Sequence, residues 1–393
     1  MRILYSAIDQ TVPGTKGGSV HVAAVAEGLA ALGHDVTVLV TAGQHPPRPS
    51  RVRWVPMPPP FGSSHLRLAR AGAVARIARG IRPDAIVERY HNFGGEAIRS
   101  AAGLAAVAVL EVNAPVIDHA GSSKALLDRA LLVEPMRRWR EHLCGLADVI
   151  VTPNAAILPA GIPAERIRVL EWGADTERFR PGVEGQAPYV RLGVTTVAIF
   201  AGAFRSWHGA IHLVEAIKVL RARGEKDVGA VLVGDGSERP RVRQAADGID
   251  TIVFTGALPH DRMPAALAGA DIGVAPFDIG AHAPLSLGFY WSPLKIFEYM
   301  AAGLPVVAPS VDRIPSLVGD GREGLLYDPR PSAGGHAEAL ADTLVKLKDV
   351  GLRRQLGAAA RERAVRDYSW AAHCKALETA ILETQARRAK TGG

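Results

Sequence analysis

The chain has 393 residues, more than one hydrophobic core usually organises, so two domains are expected. It is 48% hydrophobic and 22% charged, values of a globular chain that exclude a disordered or fibrous one. A net charge of +7 suits an anionic ligand or membrane surface, but no basic run is interleaved with aromatics, so nucleic acid is not expected.

The N-terminal half alternates strand and helix. Arg2–Ile8 reads as a strand and not as a signal peptide; Gly17–Leu32 is a helix with its apolar face at Val20, Ala23, Ala24 and Leu29. Further strands are expected at 36–40, 52–55, 85–87, 107–112, 149–152 and 167–170. Helices are expected near 66–79, 95–103, 122–146 and 154–160, and the prolines of 56–60 mark a loop. Residues 180–192 lose periodicity and carry Pro and Gly, as a linker does. A second round follows. Its strands are 197–200, 229–233, 251–254 and 271–275; its helices are 210–221, 239–246 and 260–268. Helix 294–302 and the β-branched strand at Val306-Val307 come next, and the last hundred residues are mostly helical, ending with 370–386. Such βα repetition gives parallel sheets covered on both faces. The expected fold is α/β, with two Rossmann-like doubly wound domains facing each other across a cleft. They comprise 1–180, completed by a C-terminal helix at about 370–388, and 193–369.

No run is apolar for the ~20 residues a membrane-spanning helix needs. Cys144 and Cys374 lack CxxC spacing, which fits a reducing cytoplasmic setting. GxxxxGK, GxGxxG and metal-ligand spacings are absent.

The most informative stretch is Ser292-Pro293-Leu294-Lys295 through Val307. Ser292 reads as an N-cap, Pro293 as the first helical residue and Gly303 as the C-cap. Lys295 stands in the first turn, where the helix dipole disfavours a cation unless an anion sits there; the alternative is a solvated lysine. Four loops at strand ends add to it. Gly14–Gly18 is glycine-paired before a helix, as a phosphate loop or merely a tight turn would be. Gly202–Gly209 holds the corresponding place in the second round, and its Arg205 can fork onto two phosphate oxygens. Gly234-Asp235-Gly236 and Thr255–His260 are the other two.

In order and over essentially the full length, these blocks resemble the retaining GT-B glycosyltransferases of family 4. Gly17-Gly18 falls at the family's glycine loop, and Leu170–Pro181 (LEWGADTERFRP) is similar to its interdomain segment. Val233–Gly236, Phe254–Gly256 and Phe297–Val307 match later blocks. The resemblance implies a nucleoside diphosphate sugar as donor, whose diphosphate meets Gly17, Gly18, Gly202, Arg205 and the amides of Leu294 and Lys295. Glu298 would bind the ribose, and Gly256 and Leu258 would line the base. No cofactor and no metal are implied.

Four positions depart from the family. Its first glutamate falls on Tyr290, leaving Tyr290 and Ser292 as candidates at the donor sugar. Its loop arginine and lysine fall on Ala203 and His208, so Arg205 and Lys295 are expected to carry the phosphate-neutralising charge instead. Its active-site histidine falls near Asn113, with His119 and His91 as further candidates. The implied reaction is sugar transfer to a saccharide, lipid-linked or small-molecule hydroxyl. A 2-epimerase-like isomerase and a non-catalytic nucleotide-sugar-binding subunit are the alternatives. Residues 65–81 place Arg67, Arg70, Arg76 and Arg79 among apolar residues, which fits either peripheral contact with an anionic membrane or a solvated surface helix.

Overall fold

A computed structural model describes residues 1–14, 16–44, 50–58, 60–62, 66, 69–92, 94–119, 121–131, 134–184 and 193–391. The chain forms two compact units. The first is Met1–Gly173 with Tyr290–Ser292 and Trp370–Gly393; the second is Ala174–Phe289 with Pro293–Ser369.

The first unit is built on β1 (Arg2–Val12), β2 (Asp35–Ala42), β3 (Arg53–Pro56), β4 (Ala85–Arg89), β5 (Val107–Glu111), β6 (Val149–Thr152) and β7 (Ile167–Val169). Every neighbouring pair is parallel, in the order β3-β2-β1-β4-β5-β6-β7. Strands β4, β5 and β6 are buried throughout, as continuous apolar runs require in a sheet covered on both faces. Helices α1 (Gly17–Ala31), α2 (Ala71–Ile81), α3 (Ser123–Leu131) and α4 (Pro135–Leu146) belong to this unit. So does the C-terminal helix Trp370–Thr391, whose Cys374, Leu377, Ala380 and Ile381 join the same core as Val22, Val25 and Leu29 of α1. The two helices touch closely: a Cβ on Gly28 would lie 2.5 Å from the Cys374 sulfur.

The second unit has β8 (Thr196–Ala201), β9 (Val228–Val233), β10 (Ile252–Gly256), β11 (Ile272–Val274), β12 (Val306–Pro309) and β13 (Gly324–Tyr327), all parallel in the order β10-β9-β8-β11-β12-β13. Its helices are α5 (Ala210–Ala222), α6 (Arg239–Ala245), α7 (Met263–Ala268), α8 (Leu294–Ala301), α9 (Ile314–Leu317), α10 (Gly335–Lys346) and α11 (Val350–Asp367).

Several details differ from the sequence expectation. The second unit begins at Ala174, because residues 174–184 are tied into it. Arg361 Nη1 donates to the carbonyls of Thr176 and Phe179 at 2.8 Å and of Ala301 at 2.9 Å, and Phe179 is fully buried. The single helix expected over 122–146 is two: Pro135 ends any continuation, and Asp128 caps α4 by accepting from Met136 N (2.8 Å) and Arg137 N (2.9 Å). The stretch 95–103 forms only short 3₁₀ turns. Strand β13 lies in a region expected to be helical. Ser292 does not cap α8. Pro293 holds that position, while the Ser292 hydroxyl donates to Glu171 Oε2 (2.7 Å) and accepts from Trp172 N (3.0 Å), all within the first unit. The basic helix is shorter than expected. It starts at Ala71; Arg67 lies outside the described residues; Arg70 is buried with its guanidinium donating to Met57 O; Arg76 and Arg79 are exposed on α2. Among the described residues no helix is long and apolar enough to cross a membrane.

The Gly28 contact gives a direct test. Gly28→Ala should lower stability by about 1–3 kcal/mol through overpacking against Cys374, and Cys374→Ala in the same chain should recover part of that. Denaturant melts of the two single variants and the double variant measure it; strictly additive losses would show that the two residues do not press on each other.

Candidate functional site

In the second unit the strand order reverses between β8 and β11, so the crevice at their carboxyl ends is the topological switch point of a doubly wound sheet. Helix α8 lies over it. Tyr299, fully buried, accepts from Ala201 N (2.8 Å) at the end of β8 and donates toward Val274 O (3.4 Å) at the end of β11; a Cβ on Gly273 would meet its ring at 2.4 Å. One turn earlier on the same helix face is Lys295.

Lys295 is 9% exposed and its Nζ has no hydrogen-bond partner. The ammonium lies 4.2 Å from the centroid of Phe200 on β8 and 5.0 Å from that of Phe277 after β11. Aromatic faces attract a cation but accept no proton from it, so burial pulls Lys295 down to about 7, opposed only by the Glu298 carboxylate. Gly202 makes the space: its φ is +149°, and a Cβ there would sit 3.0 Å from Nζ. His208 borders the same pocket. Burial first and the Lys295 charge second lower it to about 3, so it is neutral. The position that the family resemblance assigns to a lysine is thus an uncharged imidazole, and the cation stands on α8.

The same unit carries other anticipated residues. The first helical acceptor of α8, Pro293 O, takes Ile296 N (2.8 Å), so the N–H groups of Leu294 and Lys295 precede the helical ladder. Glu298 Oε1 shares a hydrogen bond with His260 Nε2 at 3.1 Å, and the His260 ring leans on Phe179 at 5.5 Å. Gly256 ends β10 with φ +74°, and Leu258 is half-buried in the loop after it. Arg205 is exposed, at the start of a 3₁₀ turn beside His208.

The first unit holds a different cluster. Gly17 and Gly18 open α1 there, and one turn on, His21 is fully buried with Nε2 2.5 Å from Glu111 Oε1. Glu111 also accepts from Tyr5 OH (2.5 Å), Arg89 Nη1 (3.0 Å) and the Asn113 amide. Burial alone would raise its carboxyl, but His21, Arg89 and Tyr5 outweigh that and keep it ionised, well below the usual range. Trp172 stacks on His21 at 4.4 Å and donates its Nε1–H to Asn113 Oδ1 at 2.8 Å. Asn113 therefore has both ends of its amide engaged. His91 and His119 stand half-buried on the loops after β4 and β5. Tyr290 is buried beside Trp291 and belongs, with Ser292, to the first unit, not to the unit that carries α8.

The structure thus places Gly202, Arg205, Gly256, Leu258, Leu294, Lys295 and Glu298 in one unit. It places Gly17, Gly18, His91, Asn113, His119, Tyr290 and Ser292 in the other. Sequence reasoning passed over His21, Arg89, Glu111, Phe200 and Phe277. Glu111 carried a signal: it is an ionisable residue closing an otherwise apolar strand.

Comparison with known proteins gives the family. The family profile described as Glycosyltransferase Family 4 matches residues 15–178, and that described as Glycosyl transferases group 1 matches 195–349. The chain belongs to this glycosyltransferase family. The enzyme is 29% identical over 395 residues to a GDP-mannose-dependent alpha-mannosyltransferase of Mycolicibacterium smegmatis, covering 96% of each chain. It is also 29% identical over 376 residues to a phosphatidyl-myo-inositol mannosyltransferase of Mycobacterium leprae, covering 91% of this chain and 90% of that one. Among solved structures, the sucrose-phosphate synthase of Thermosynechococcus elongatus superposes with a TM-score of 0.71 at 19% identity over 99% of both chains. That likeness shows the same two-unit Rossmann-like fold.

Because folded Lys295 titrates near 7 and the unfolded chain near 10.5, the folded glycosyltransferase bears the full cost of its ammonium below pH 7 and loses that cost as pH rises toward 10.5. Lys295→Met should accordingly be the more stable ligand-free protein at pH 6, by on the order of 3 kcal/mol, with the gap closing toward pH 10. Chemical denaturation across that range checks it; a variant no more stable at pH 6 would mean the ammonium is adequately solvated.

Proposed function

We propose that this glycosyltransferase moves a sugar from a nucleoside diphosphate sugar to an acceptor hydroxyl with retention of anomeric configuration, and that Lys295 is the principal counter-charge to the donor diphosphate. The buried, unpartnered ammonium at the switch point carries the reading. A cation desolvated between two aromatic rings and beside free helix amides is poorly satisfied by protein alone and well satisfied by phosphate oxygens. Arg205 adds charge from the neighbouring loop, Glu298 offers carboxylate oxygens to ribose hydroxyls, and Gly256 and Leu258 leave room for the base.

In the reaction, cleavage of the sugar–phosphate bond builds negative charge on the departing diphosphate, and donors already aimed at it lower the barrier without reorganising. Positive charge grows meanwhile at the anomeric carbon. Glu111 is a buried, ionised carboxylate of the first unit, but its two oxygens are occupied by Tyr5, Arg89, His21 and Asn113. It therefore suits positioning of Asn113 better than covalent attack, which favours same-face substitution assisted by the leaving phosphate. Asn113, His119 and His91 are the polar groups we assign to the sugar and acceptor. GDP-mannose is the first donor to test, because named relatives are GDP-mannose-dependent. Acceptors span free and lipid-linked saccharides and small polyols, with Arg76 and Arg79 the residues for any contact with an anionic membrane.

Diphosphate binding should restore the Lys295 proton. Between pH 7 and 9 the Kd for UDP, GDP, ADP or TDP, whichever binds, should weaken by up to ~tenfold per unit. Lys295→Met should abolish that slope with most of the affinity, whereas Glu298→Ala should weaken binding about equally at every pH. Calorimetry in buffers of different ionisation heat reads the proton directly, and binding without proton uptake would exclude Lys295 from the diphosphate. Asn113→Ala should depress acceptor-dependent nucleotide release at least ~tenfold with nucleotide affinity unchanged; an unaltered rate would remove it from the site.

A further inference from the structure

We propose that His212, Asp278 and His336, in the second unit, form a binding site for a borderline divalent transition-metal ion such as Zn²⁺. The three come from separate elements: His212 from the first turn of α5, Asp278 from the loop after β11, and His336 from the start of α10. One ligand atom of each lies within 4.8 Å of the others.

The arrangement is organised as a metal site is, with each ligand oriented by one atom and presenting another. Asp278 Oδ1 is held by Gly280 N–H at 3.0 Å, while Oδ2 lies 3.5 Å from His212 Nε2. His336 Nδ1 is engaged by the Tyr327 hydroxyl at 3.0 Å, which leaves Nε2 as its ligand atom. His212 Nδ1 has Glu215 Oε2 at 3.5 Å, yet neither buried nitrogen of that ring makes a hydrogen bond. The two imidazoles stack at 4.0 Å with an interplanar angle of 8°, an arrangement that disfavours charge on both. Two imidazoles and one carboxylate are the donor set of many open zinc sites, with water completing the coordination. Zn–N and Zn–O bonds of about 2.0–2.2 Å require the ligand atoms to draw together by roughly 1 Å, within reach of side-chain rotation.

Such an ion would pin the loop that forms one wall of the lysine pocket. Phe277 precedes Asp278 and faces Lys295, Asp278 N donates to Trp207 O (3.0 Å), and Ser206 Oγ donates to Ala281 O (3.1 Å). The ion would cross-link that loop to α5 and α10 without entering the sugar-transfer chemistry.

The test uses the untagged full-length protein, stripped with chelator and titrated with Co²⁺ while visible absorption is followed, then back-titrated with Zn²⁺. We expect one equivalent of Co²⁺ with an intense low-coordinate d–d band, displaced by Zn²⁺, and a higher Tm with the ion bound. His212→Ala, His336→Ala and the near-isosteric Asp278→Asn should each weaken uptake at least ~tenfold, and Tyr327→Phe less so. Melting curves of every variant confirm that it is folded; if an alanine variant is not, Asp278→Asn decides. No saturable band would leave the histidines as a stacked pair and overturn the site. So would uptake that survives these substitutions, which would put the ion on other histidines.

Discussion

An ammonium held away from water without a counter-ion is the constraint on which the second unit turns. Most buried cations are paired, because desolvation disfavours the charged form by several kcal/mol. Here two phenyl faces and a distant carboxylate are the compensation, and neither accepts its protons. The fold maintains the arrangement from below: Tyr299 fills the space left by Gly273 and bonds to the ends of β8 and β11, which fixes the rotation of α8 and so the direction of Lys295. Stability is thereby given up at one point in exchange for an electrostatic site already formed before any anion arrives.

The first unit solves the opposite problem. Glu111 is a buried anion with more partners than it needs, among them Tyr5, Arg89, His21 and Asn113. Over-satisfaction makes it ionised and immobile, and its rigidity passes outward through Asn113 to Trp172 and through His21 to the Trp172 ring. Its neighbour His373, lowered to about 3 by burial and then by His21, is a neutral ring whose Nδ1–H donates to Glu171 O at 2.7 Å. This network behaves as scaffold for polar groups at the sheet edge rather than as a reservoir of mobile protons.

Much of this was legible in the chain. Apolar β-branched runs separated by amphipathic stretches gave nearly every strand within two residues, and Lys295 stood out because a cation in a first helical turn contradicts the helix dipole. What escaped is what depends on contacts distant in sequence. Ser292 has the composition of an N-cap, yet Glu171 and Trp172 compete for its hydroxyl and win. Arg70 fits a solvent-facing stripe until the Met57 carbonyl captures it. His212, Asp278 and His336 have no motif spacing, because three separate elements bring them together. Phe200 and Phe277 look like ordinary core residues, and only the position of Lys295 between them gives them an electrostatic role.

The residues at 208 and 295 are two sides of one physical choice. Coulomb energy scales inversely with the local dielectric, so a cation inside the Phe200–Phe277 pocket acts on a phosphate far more strongly, and with far less screening by salt, than one on an exposed loop. The same low dielectric forbids a second cation next to it: a lysine at 208 would face Lys295 across the space cleared by Gly202, and one of the two would be driven neutral. A neutral histidine at 208 is therefore what allows the charge to stand on α8. In the proposed reaction the exposed Arg205 would contribute long-range attraction and the buried Lys295 short-range stabilisation.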